Sequence, residues 1–129
     1  MTLSELLEEL KQVDPDTWDV IVRGIPLKPF CQYFTLDRCG QRAHQYPDAY
    51  LPFSQMERDV ALGWLQCCLQ RACEKQELFY GQFSMSHPGP YSADITDANN
   101  VDHHWFGVGD SPAEALLAAY VAAVKEEKR

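Results

Sequence analysis

The chain has 129 residues, with 19 acidic side chains against 11 basic ones, a formal charge of −8 at pH 7, and 46% hydrophobic and 23% charged residues. That length predicts one domain, or one domain with an appendage, and that composition excludes a disordered, collagen-like or low-complexity chain. No apolar run reaches the ~18 residues of a membrane span, and Met1-Thr2-Leu3-Ser4-Glu5 lacks the basic start and apolar stretch of a signal peptide, so a cytoplasmic protein is expected.

The charges are unevenly spread. Residues 1–19 carry six acids and one base, residues 20–54 four bases and two acids, and residues 78–124 five acids and no base. A phosphate backbone or an anionic membrane meets repulsion over most of such a surface, so no direct nucleic-acid or membrane partner is expected. Five cysteines (Cys31, Cys39, Cys67, Cys68, Cys73) are an odd set that suits reduced thiols better than a paired secreted framework. Cys67 and Cys73 point about 120° apart on a helix and cannot converge on one metal. Cys31, Cys39 and His44 offer three ligands at a spacing that matches no compact zinc knuckle and lacks a fourth, so no metal and no cofactor are expected.

In chain order, Leu3, Leu6, Leu7 and Leu10 repeat at amphipathic-helix spacing, and Thr2 with Glu5 forms a capping box that starts a helix over residues 3–13. Asp14-Pro15 then suits a helix cap and first helical position, with Gly24 closing a second helix over residues 15–23. The β-branched run Val20-Ile21-Val22 argues for a strand instead; the capping residues favour the helix. Four prolines (Pro26, Pro29, Pro47, Pro52) break up residues 25–53, leaving only Phe30 to Leu36 as a candidate strand. Tyr46, Tyr50 and Phe53 make the rest an aromatic-rich connection expected to pack over the core.

Ser54-Gln55-Met56-Glu57 opens a helix of about 22 residues. Its polar positions Asp59, Gly63, Gln66, Gln70 and Glu74 trace one narrow wet stripe, and the apolar remainder predicts the central buried helix. Period-two alternation over residues 78–86, 91–97 and 103–109 then predicts a three-stranded antiparallel meander. Its connections are His87-Pro88-Gly89-Pro90 and residues 98–102. Gly109-Asp110-Ser111-Pro112-Ala113-Glu114 supplies a cap, a first-position proline and a carboxylate for a last helix, whose alanines allow close approach to the sheet. The predicted fold class is α+β. An α-β-β-β-α layered core over residues 54–129 carries the meander, and a helical and irregular N-terminal segment over residues 1–53 packs on it.

With Val60-Ala61-Leu62-Gly63-Trp64, Pro90-Tyr91-Ser92-Ala93-Asp94-Ile95, and Trp105 leading into Ser111-Pro112-Ala113-Glu114-Ala115, residues 55–128 resemble the small phage-encoded ABA-sandwich domains. The chain departs from their pattern after the second strand, where it has only residues 98–102 in place of a longer segment bearing a tryptophan. The resemblance implies a phage or prophage accessory protein of a bacterial host that works by contact, and it brings no catalytic residues.

The residues carry no recognisable catalytic constellation. No G-x-S-x-G elbow activates Ser84, Ser86 or Ser92, and Gly107-Val108-Gly109-Asp110 lacks the third glycine and the lysine of a phosphate loop. Adjacent His103 and His104 on a strand face opposite ways, as do Asp94 and Asp97 by strand parity. If Phe79, Phe83, Ile95, Phe106 and Val108 face the helices, the other sheet face bears Tyr80, Ser92, Asp94, His103 and Trp105, the composition of an interaction surface. The aromatic N-terminal half or a second copy would equally cover it, and a homodimer or higher homo-oligomer is expected. The acidic patch Glu5, Glu8, Glu9, Asp14, Asp16 and Asp19 would suit a basic host protein, such as a nucleic-acid-handling or defence factor that it inhibits. The alternative is a binder of a small nucleotide-derived ligand at a subunit interface, with Tyr80 or Trp105 stacking on a base and Arg42 or Arg58 pairing a phosphate.

Overall fold

In a computed structural model, residues 2–23, 55–84 and 91–127 are described. The candidate strand from Phe30 to Leu36, the aromatic connection, Gly24, Cys31, Cys39, His44 and Arg42 lie outside them. The described elements are α1 (Leu3–Val13), α2 (Pro15–Arg23), α3 (Gln55–Lys75), β1 (Leu78–Ser84), β2 (Tyr91–Asp97), β3 (Asn100–Gly109) and α4 (Pro112–Glu127). The fold is α+β; among the described residues there is one sheet, of strand order β1-β2-β3 and antiparallel throughout. The chain divides into two compact units, Met1–Trp64 and Leu65–Arg129, with the division inside α3.

In the first unit, local chemistry sets the helix ends. The Glu5 amide donates to Thr2 Oγ1 at 3.2 Å, which caps α1. Asp14 ends α1 and starts α2: its amide donates to the Leu10 carbonyl, while its carboxylate accepts from the Thr17 amide at 3.2 Å and the Thr17 hydroxyl at 2.6 Å. Pro15 fits the first turn, where its missing N–H has no helical partner to lose. The caps therefore outweigh the β-branched run, and residues 15–23 are helical. Leu6, Leu7, Leu10, Trp18 and Ile21 are buried, and the Trp64 indole N–H donates to the Ile21 carbonyl at 3.0 Å.

The second unit is a sheet with helices on one face. Leu78, Ala93, Ile95 and Trp105 are buried on the helix side. There α4 lies almost against the backbone of β3. A Cβ on Gly107 would fall 2.4 Å from the Ala115 carbonyl oxygen and 2.5 Å from the Ala119 nitrogen, and one on Gly109 would fall 2.7 Å from the Ala115 nitrogen. Glycines on the strand and alanines on the helix together produce this close seating. Ser111 Oγ accepts from the Glu114 amide at 3.2 Å and Pro112 occupies the first helical position, as the capping sequence predicts. Glu114 Oε2 is buried without a hydrogen-bond partner, beside the helix start whose dipole favours negative charge.

On α3, Gly63 and Glu74 of the expected wet stripe are exposed, as are Arg71 and Lys75, while Leu65, Cys68, Leu69, Ala72 and Cys73 are buried. On α4, residues from Ala113 through Val124 are buried on nearly every side, including Ala115, Leu116, Leu117, Ala119 and Tyr120, each wholly buried. The expected wet stripe is only partly wet. Gln70 Nε2 donates to Gln82 Oε1 at 2.9 Å, and Gln82 Nε2 donates to Gln66 Oε1 and the Pro112 carbonyl, each at 3.1 Å. The two helix glutamines therefore join β1 to α3 and α4. Past α3 the chain turns through Glu77, whose φ of 57° is left-handed, and Asn99 Nδ2 donates to its carboxylate at 2.9 Å.

Strand β3 begins earlier than the sequence predicts, at Asn100. The β2–β3 register shifts between Thr96 and Asp97, so that Thr96 pairs with His104 while Asp97 pairs with Asn100. Val101, Asp102 and His103 therefore stand opposite no residue of β2.

Candidate functional site

The register decides which side chains share a face. Tyr80 pairs with Ile95 and Ile95 with Trp105, so these three lie on the helix side. Phe79, Thr96 and His104 form one rung of the outer face, Gly81, Asp94 and Phe106 the next, and Phe83, Ser92 and Val108 the third. The expected facing is thus right for β2, Ile95 included, and inverted for β1 and β3. Trp105 is 8% exposed, whereas Phe106 is 61%, Phe79 65%, Phe83 57% and Val108 47% exposed. The physical reason is the close seating of α4: only Gly107 and Gly109 let it approach β3, and strand parity then turns Trp105 inward and Phe106 and Val108 outward.

The expected interaction surface is accordingly split. Ser92 and Asp94 lie on the outer face, Ser92 buried between its neighbours Phe83 and Val108 and Asp94 half-buried between Gly81 and Phe106. Tyr80 and Trp105 lie on the helix side. The Trp105 indole N–H donates to Glu126, and its ring meets His103 edge-on at 6.3 Å between centroids. The Tyr80 hydroxyl bonds to Glu74, and burial, followed by the negative charge of Glu74, raises its pKa. Trp105 is buried and offers no open face for stacking on a base, while Tyr80 is half-buried. Arg42 and the Arg58 side chain lie outside the described residues.

Of the acidic patch, Glu5, Glu8, Asp16 and Asp19 are exposed, while Glu9 and Asp14 are half-buried. Asp14 is committed to capping α2. Cys67, Cys68 and Cys73 are free thiols. Burial pushes Cys73 up to about 12, with the Glu74 charge adding to it, and Cys68 up to about 11, with Cys67 adding and Arg71 opposing. Such thiols stay protonated and unreactive at neutral pH. Among the described residues, no three His, Cys, Asp or Glu side chains are grouped to hold a metal ion, and no helix is long and apolar enough to cross a membrane.

The arrangement that remains is a sheet face of exposed rings. Sequence parity put Phe79, Phe83, Phe106 and Val108 together but took their face for the helix side, and named Tyr80, Ser92, Asp94, His103 and Trp105 as the contact surface instead; the signal that places the rings correctly is the Gly107–Gly109 spacing against an alanine-rich helix. Compared with protein-family models, with curated proteins and with solved structures, the chain matches none.

Proposed function

We propose that this chain is a non-catalytic binding protein that acts by protein–protein contact through the outer face of its meander. The observation that carries this reading is the exposure of Phe79, Phe83, Phe106 and Val108 on one side of a single sheet. Large apolar side chains grouped in water on one sheet face suit a contact site, and aromatic rings dominate the energetics of such contacts. The role fits the accessory phage proteins that residues 55–128 resemble, acting in the cytoplasm of a bacterial host. The exposed acids of α1 and α2, in the first unit, would suit a basic host protein as a separate contact. The test is a photo-crosslinking amino acid placed at Phe79 or Phe106, with exposed Lys75 as the control position. Protein adducts from 79 and 106 but not from 75 support the reading; no adduct from either position refutes it.

A further inference from the structure

We infer that the occupant of the outer sheet face is a second copy of this chain, packed face to face. This inference rests on the reading just given and names its partner.

Area is the first argument. A phenylalanine ring of ordinary size with more than half its surface in water leaves about 100 Å² uncovered, so the four exposed side chains leave about 400 Å² per copy. Two such faces remove about 800 Å² of apolar surface, the size of a weak, concentration-dependent contact rather than of a permanent dimer.

Charge is the second argument. The chain carries −8 overall, yet the three rungs of this face hold one carboxylate, Asp94, and one imidazole, His104. A nearly neutral apolar surface offers a strongly basic partner little to select, whereas it complements another surface like itself. A two-fold axis whose projection bisects the line from Asp94 to His104 sets Asp94 of each copy against His104 of the other, with residue i meeting j and j meeting i. Two twisted sheets pack about 10 Å apart through interdigitating side chains.

Sedimentation equilibrium of the full chain from about 1 to 200 μM tests this, with F79K, F106K and H104D run beside it. The expected result is a concentration-dependent monomer–dimer equilibrium whose Kd rises at least about 30-fold in F79K and F106K. In H104D, which sets two carboxylates on each face, the Kd rises as well. Far-UV circular dichroism of all three stays native, because the replaced side chains point to water. A dimer insensitive to all three substitutions overturns the inference. A monomer at every concentration that binds the dye ANS, with binding lost in F106K, also overturns it, while contact with a different protein through this face survives. A monomer with no ANS binding overturns both.

Discussion

Replacing Gly107 with alanine puts a methyl carbon 2.4 Å from the Ala115 carbonyl oxygen, 2.5 Å from the Ala119 nitrogen and 2.9 Å from the Ala118 Cβ. Ordinary non-bonded separations are about 3.5 Å, so α4 must withdraw by about 1 Å. Two of the three obstructing atoms are backbone, and no rotamer change relieves them. The helix that moves is the most deeply buried in the unit, and its wholly buried Leu116, Leu117 and Tyr120 lose contact as it does so. Overpacking of this kind costs about 3 kcal/mol, a large share of the ~10 kcal/mol that holds a domain of this size together. The corresponding fall in Tm is about 10 °C. Gly63 is the internal control: it lies in α3, exposed, with nothing within 4 Å of its would-be Cβ. Gly63→Ala therefore stabilises by about 0.5–1 kcal/mol through helix propensity alone. Thermal and urea unfolding followed by circular dichroism measures both. A Gly107→Ala midpoint within about 2 °C of the parent would refute the close seating of α4 on β3, and the inward placement of Trp105 with it.

Glu77 holds a left-handed φ of 57°, so Glu77→Gly is expected to raise stability by about 0.5–1 kcal/mol, net of the exposed Asn99 contact, in the same unfolding assay. Gln82→Leu strips the partners from Gln66, Gln70 and the Pro112 carbonyl at once; a loss of about 2 kcal/mol is expected, and an unchanged urea midpoint argues against the three-way amide link. Burial raises Cys68 and Cys73 above their ordinary value of 9.0 to about 11 and 12, so the folded state binds thiol protons more tightly than the unfolded state. Their contribution is fully present below pH 9 and is lost as pH rises from there through about 12, and Cys73→Ala flattens that decline in a pH series of unfolding curves. In a C31S/C39S background at pH 8, a thiol reagent should reach half-buried Cys67 first and Cys68 and Cys73 only on unfolding.

What the sequence made legible was whatever short-range chemistry decides. Thr2, Asp14-Pro15 and Ser111-Pro112 mark helix starts because each supplies a hydrogen-bond acceptor or a preset φ within three residues of the groups it serves, and the helices begin there. The meander followed from alternation, which is likewise local. Facing was not legible from hydrophobicity. On β1 and β3 the greasier set, Phe79, Phe83, Phe106 and Val108, points to water, and an inward set holding Gln82, Gly107 and Gly109 points to the helices. Burial there is set by how near a helix backbone can come, a long-range property in which lack of a side chain outweighs apolar area. Gln66 and Gln70 read as solvated for the same reason: their partner Gln82 lies in another element, reached only after folding.

The three residues of β3 that face no counterpart give the hairpin a slack end. Because Thr96 regains its pairing at His104 beyond Val101, Asp102 and His103, extra residues spliced in there lengthen a stretch already outside the ladder and leave the downstream rungs aligned. Val101, 70% exposed, sits on that stretch. This tip is where the chain accommodates an insertion, an affinity tag or a fluorescent label without disturbing the glycine seat further along the same strand.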